Sequence, residues 1–152
     1  MLDRRQIHTV IDTLIREARI RSVSDIHITE GMHVWYRIHG CLTQARDVLK
    51  EYDIREVLLG MMNEKQRKQF EDGQDVDFAW QTTDGCRQRV NIFCEQKKIA
   101  ATIRLLNQHI PTLEELKIPT TLYQLSEEPR GIILVTGPTG SGKSTTLAAV
   151  IE

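Results

Sequence analysis

The sequence has almost no net charge. Lys and Arg together number 20 and Asp and Glu 21, so the formal charge is −1. A chain this balanced has no bulk attraction for DNA, RNA or acidic membranes, and no nucleic-acid partner is expected. Long apolar runs are also missing. The longest, such as Ile132 to Val135, hold a few residues, against the ~20 that a membrane helix needs, so membrane insertion is not expected. The first six residues, Met1-Leu2-Asp3-Arg4-Arg5-Gln6, lack the apolar stretch of a secretory signal. Cysteine is scarce. Cys41, Cys86 and Cys94 are an odd count without metal-ligand spacing and read as free thiols in a reducing cytoplasm. The five histidines, His8, His27, His33, His39 and His109, form no H-x-x-x-H or similar pair, which argues against a metal held by protein side chains. There is no repeat and no low-complexity tract. With 152 residues the chain is too short for two domains of typical size, and 40% hydrophobic residues suffice for a folded core.

The chain opens with Ile7, Val10, Ile11, Leu14, Ile15 and Ala18 at helical spacing. Ser24 to Thr29 alternates as a strand, Val34 to Ile38 reads as a second, and a third comes after His39-Gly40, around Cys41 to Thr43. Helical spacing returns at Ile54, Val57, Leu58, Met61 and Met62. Asn63 with Gln66 predicts a capping box for another helix, and Gly73 its stop. Val76, Phe78 and Trp80 alternate with polar neighbours; Thr83-Asp84-Gly85 carries a hairpin signal. Val90, Ile92 and Cys94 alternate likewise. A turn through Gln96 to Lys98 leads to Ile99, Ala101, Ile103 and Leu105. The expected order is one helix, three strands, two helices, three strands: an α+β domain with an antiparallel sheet ending near Asn107. Trp35 and Trp80 are expected in the sheet core.

Beyond it, Pro111 to Leu116 predicts a short helix with Thr112 and Glu115 as capping box, and Tyr123 to Ser126 another. Ile132 to Val135 reads as a strand buried on both faces, as in α/β proteins, and Thr145 to Glu152 as helix. Between them Gly137-Pro138-Thr139-Gly140-Ser141-Gly142-Lys143-Ser144 matches the phosphate-binding pattern G-x-x-x-x-G-K-[ST]. Glycines let the backbone curl its N–H groups into an anion nest, and the helix after the loop adds its positive end. Lys143 supplies a mobile cation for the β and γ phosphates, and Ser144 a hydroxyl for Mg²⁺.

The segment Gly131 to Ala149, GIILVTGPTGSGKSTTLAA, resembles the P-loop of the secretion and type IV pilus motor ATPases. Lys143 to Ala149 is similar to the PilT-type retraction branch. The resemblance runs through the chain: Ser24-Asp25-Ile26-His27-Ile28 resembles the family's S-D-[IL]-H-[IL] strand. Tyr36 to Gly40 resembles its R-[IV]-D-G turn, with His39 in place of the usual acid. Asp77-Phe78 with Arg87 to Phe93 resembles D-F…R-F-R-V-N-x-F. Ile103 to Leu106 and Pro111 to Leu116 also fit, and the short stretch before Ser24 favours retraction.

The resemblance implies a PAS-like N-domain over 1–107, a linker over 108–130, and over 131–152 the first strand, loop and part-helix of a RecA-like α/β ATPase domain. It implies ATP and Mg²⁺ as cofactors, with 137–145 (Gly137 through Thr145) as the nucleotide cradle and Lys143 catalytic. It implies a homo-hexamer working on inner-membrane pilus platform proteins, in the cytoplasm at the membrane. It further implies arginines that reach phosphate: Arg89 and Arg104, with Arg87 a weaker match. By pattern alone, Arg87 and Arg89 share one strand face opposite Val90 and Ile92, and Arg104 lies off the Ile103/Leu105 face; such a face is as readily a solvated charged surface. Asp25 is expected to specify the fold through hydrogen bonds. The family's Asp box, Walker B and His box lie after the P-loop, so the chain is expected to be the N-terminal fragment of a longer ATPase, inactive alone. The alternatives are a pilus-assembly or type II secretion ATPase, a P-loop kinase or transporter subunit, and a non-catalytic interaction module.

Overall fold

The computed structural model describes residues 2–45, 49–106, 110–119, 121–138 and 141–151. Asn107, His109, Thr139, Gly140 and Glu152, on which some of the sequence expectations fall, lie outside them. The chain divides into two compact units, Met1–Leu106 and Asn107–Glu152.

In the first unit, helix α1 (Arg4–Ile20) starts at Asp3, whose carboxylate accepts from the Gln6 amide while Gln6 reciprocates on the Asp3 amide. Its apolar stripe, Ile7, Val10, Ile11, Leu14, Ile15 and Ala18, is buried. Strands β1 (Val23–Thr29), β2 (Trp35–Ile38) and β3 (Cys41–Gln44) come next. Then come α2 (Ile54–Met61) and α3 (Glu64–Glu71), and the strands β4 (Val76–Gln81), β5 (Arg87–Glu95) and β6 (Lys98–Leu105). The Asn63/Gln66 capping box forms as expected. At the far end of α3, Gly73 (φ +82°) and Gln74 donate back to the carbonyls of Phe70 and Gln69, a Schellman stop that only a residue at ease in the left-handed region closes without strain.

The six strands form one antiparallel sheet in the order β3-β2-β1-β6-β5-β4. Register sorts its two faces. Tyr36, Ile26, Ile103, Val90 and Phe78 lie side by side across five strands and, with Ile28, Ala101, Ile92, Val76 and Trp80, pack with α1 and α2 into the core. The opposite face carries two polar rows. One runs Leu42, Arg37, Asp25, Arg104, Arg89, Ala79; the other runs Gln44, Trp35, His27, Thr102, Asn91, Asp77. Trp80 is buried and stacks on His8, with ring centroids 4.1 Å apart. Trp35 departs from expectation. Tyr36 takes the core position, so the next residue in the period-two strand must face out, and Trp35 is exposed. In β1 the ladder to β2 shifts between Val23 and Asp25, making Ser24 the extra residue of a bulge.

In the second unit, α4 covers Thr121–Ser126 and α5 Lys143–Ile151. The capping box of Thr112 and Glu115 forms, but it opens only a single turn, closed by Leu116, Lys117 and Ile118, and not a helix. Ile132 to Val135 is not a strand either. An extended segment becomes a strand only by sharing ladder hydrogen bonds, and no described strand lies beside this one. Ile132 and Leu134 are 87% and 80% exposed.

Candidate functional site

Two sites take shape, one in each unit. In the second unit, the loop from Gly137 leads directly into α5, whose first residue is Lys143. The curl is tight: a Cβ on Gly137 (φ +153°) would come 2.7 Å from Ser141 Oγ, and Gly142 sits at φ +89°. Larger residues at either position would open the loop or strain it. The Ser141 amide donates to the Pro138 carbonyl at 3.2 Å, and the Thr146 amide donates to the Gly142 carbonyl at 2.8 Å as the first helical bond. The amides of Lys143, Ser144 and Thr145 precede that bond, so none has an acceptor within the helix. Lys143 Nζ folds back to donate to the carbonyls of Gly137 and Pro138, at 2.8 and 2.7 Å. The described residues therefore offer a cation at Lys143, a hydroxyl at Ser144 and, at the start of α5, amides without helical acceptors, which suits a polyphosphate and its metal ion. Thr139 and Gly140 fall outside the described residues.

In the first unit, the open sheet face brings Arg89 and Arg104 together as directly opposed residues of β5 and β6. Like charges so placed repel unless something compensates. Each guanidinium is held by a carboxylate from the strand on its far side. Arg89 donates through Nε and Nη2 to Asp77, at 2.7–3.1 Å, and both side chains are largely exposed. The pairing raises the Arg89 guanidinium further above its ordinary value, chiefly through the hydrogen bonds to Asp77. Arg104 donates through Nε to Asp25 Oδ1 at 2.9 Å. Asp25 is buried, and its Oδ2 accepts from the Ser24 hydroxyl at 2.9 Å with Arg37 Nε 3.8 Å away. Burial pushes the Asp25 carboxyl up, but the hydrogen bonds from Arg104 and Ser24 and the positive charges of Arg104 and His27 outweigh it, leaving it below the usual range. Asp77, Arg89, Asn91, Thr102 and Arg104 line an open hollow of about 390 Å³.

Of the arginines expected from sequence, Arg89 and Arg104 are thus neighbours, and Arg87 is not. It pairs with Gln81 near the start of β5 and faces no residue of β6, whose ladder begins at Gln88. The carboxylates of Asp25 and Asp77 as arginine partners were not foreseen. Their spacings from Arg104 and Arg89 are set by strand register, which short-range pattern does not carry. Among the described residues no group of three or more His, Cys, Asp and Glu could hold a metal ion.

Residues 1–152 match the family described as Type II/IV secretion system protein. The chain is 35% identical over 143 residues to the type IV pilus retraction ATPase PilT of Pseudomonas aeruginosa, covering 93% of this chain and 42% of that protein. It is 38% identical over 143 residues to a twitching motility protein of Neisseria gonorrhoeae, with coverage of 92% and 38%. A solved structure of the pilus retraction motor PilT with bound ADP superposes with a TM-score of 0.79 at 37% identity, covering 93% of this chain and 42% of that one. The chain spans about two fifths of the length of these relatives.

Proposed function

The chain belongs to the type II/IV secretion system protein family, and from that premise we propose that it is the nucleotide-binding part of a hexameric ATPase motor that drives type IV pilus retraction. The observation that carries the reading is Lys143, at the start of α5, folded back to donate to the carbonyls of Gly137 and Pro138. Retraction, in preference to assembly or secretion, is supported by the likeness to the retraction ATPase and the twitching motility protein. The reading places the protein in the cytoplasm at the inner membrane, working on pilus platform proteins.

Lys143 lies on two backbone carbonyls, and an arriving polyphosphate competes for it with full negative charge. The amides at the start of α5 lack helical acceptors and meet phosphate oxygens without giving up a bond. Mg²⁺, when bound with the nucleotide, would be held through the Ser144 hydroxyl and would supply charge neutralisation to the phosphates. Arg89 and Arg104 supply further positive charge toward the γ-phosphate of ATP held on a P-loop of the assembled ring.

Binding of ATP and ADP by titration calorimetry tests the cradle. Lys143→Ala removes a charge-assisted bond, and affinity should fall tenfold or more, on the order of 1.5–3 kcal/mol. Equal affinity in the variant would refute the cradle. In the full-length protein, Arg89→Ala should keep nucleotide affinity while lowering turnover by roughly 10³–10⁵, the range of an arginine finger. Turnover close to wild type would leave Arg89 a solvated surface charge.

A further inference from the structure

The two arginines of the hollow are held in different ways. Arg89 lays one edge of its guanidinium, Nε and Nη2, against Asp77, and that carboxylate is itself exposed. Arg104 is tied at Nε alone, to a carboxylate that is only 9% exposed. Its side chain as a whole is 62% exposed, and among the described residues its two terminal nitrogens have no acceptor. A guanidinium fixed at Nε keeps its outer fork for a second oxyanion, in the geometry that matches phosphate. The carboxylate is fixed in turn. Ser24, the extra residue of the β1 bulge, donates its hydroxyl to Asp25 Oδ2, and Arg37 flanks the same oxygen. Bulges of this kind re-aim side chains beside functional sites.

We propose that Asp25 is the positioning residue for Arg104: it grips Nε and presents the terminal nitrogens to phosphate. Asp77 holds Arg89 differently, because it takes one of the two terminal nitrogens, Nη2, together with Nε. The inference rests on the reading of Arg104 as a phosphate-facing group, and its test separates the two.

ATP turnover and nucleotide affinity are measured on the full-length protein as wild type, Asp25→Asn, Arg104→Ala and the double variant. Asp25→Asn keeps the side chain's shape and removes the charge that holds Nε. It should lower kcat by about ten- to a hundredfold, the cost of a misplaced catalytic group, with nucleotide affinity unchanged. In the Arg104→Ala background it should cost nothing further, since a residue that acts through Arg104 has nothing left to position. Ser24→Ala, at an exposed site, should give a smaller kcat loss that also vanishes in that background. Should Asp25→Asn fail to fold, Ser24→Ala decides alone: an unchanged kcat then overturns the inference. Normal kcat in Asp25→Asn beside an impaired Arg104→Ala overturns it too. A loss from Asp25→Asn that recurs in full on top of Arg104→Ala shows that Asp25 acts through something other than Arg104, and overturns the inference. Normal turnover in Arg104→Ala instead defeats the phosphate-facing reading, and the positioning role with it.

Discussion

His27 lies on the open sheet face between Trp35 and Thr102, with its Nδ1 3.4 Å from the Thr102 hydroxyl and its Nε2 buried without a partner among the described residues. Burial disfavours its imidazolium, the charge of Arg37 adds to that, and Asp25 opposes both, so its pKa falls below the ordinary 6.5. Below pH 6.5 the unfolded chain takes up a proton that the folded one resists. The unfolded state then binds more protons, and stability declines as pH drops from 6.5 through the folded value. Asp25 acts in a different window, since its contribution is full above 3.8 and is lost as pH falls through its lowered value. Thermal unfolding should therefore be flat from pH 8 to 7 and weaken toward pH 5, and His27→Gln should flatten that decline. An unchanged slope in His27→Gln would assign the pH dependence elsewhere. At this scale the sequence was legible where chemistry is written in consecutive residues. The motif from Gly137 to Ser144 carries the expectation of phosphate by type and spacing, and Asp25 accepts hydrogen bonds from Arg104 and Ser24. The partnerships of Arg104 with Asp25 and of Arg89 with Asp77 were not legible. They span 79 and 12 residues and exist only through strand register.

The helices and strands of the first unit arise from short-range signals: period 3.6 in α1, period two in β4 and β5, and a capping box at α3. Two segments of the second unit do not. Ile132 to Val135 has strand composition, yet composition supplies no neighbour to bond with, and the turn after Pro111 has its cap but too few good positions to propagate. Packing between elements is equally hidden, and Gly60 shows why. As the penultimate residue of α2, Gly60 should favour replacement by alanine by at most about 1 kcal/mol through helix propensity. A Cβ on Gly60, however, would lie 2.0 Å from Cδ1 and 3.3 Å from Cγ1 of buried Ile7, where α1 crosses α2. Overpacking of that kind costs about 1–3 kcal/mol. Gly60→Ala should therefore destabilise by about 1 kcal/mol net, taking the difference of the two effects. Ile7→Val removes the clashing Cδ1 at a cost of about 0.5–1.5 kcal/mol. In that background Gly60→Ala should become neutral or stabilising. Strict additivity of the two substitutions in denaturant unfolding would mean that Ile7 is not what excludes a side chain at Gly60.

For the whole molecule, the distribution of apolar surface decides what can stand alone. Every member of the main core cluster, from Ile7 to Ile103, belongs to the first unit, and six strands with two packed helices close it. The second unit buries Leu113 and Ala149 but leaves Ile132 and Leu134 in water and Ile133 half exposed. Burying a side chain of this size stabilises by roughly 1.5–3 kcal/mol. An apolar segment with no ladder partner among the described residues is also a template for another chain. Residues 1–106 as a separate chain should accordingly unfold cooperatively at the temperature seen for the same residues in the whole chain, and stay monomeric. The whole chain should self-associate as concentration rises. Ile132→Lys with Leu134→Lys should suppress that association without touching the unfolding of the first unit. Light scattering across a concentration series reads the association, and hydrogen exchange on the dilute chain reads the segment itself. Rapid exchange at 132–135 is expected. Strong protection there in a proven monomer would mean that the segment has found a ladder partner within its own chain. The first unit would then not be the independent body that its core describes.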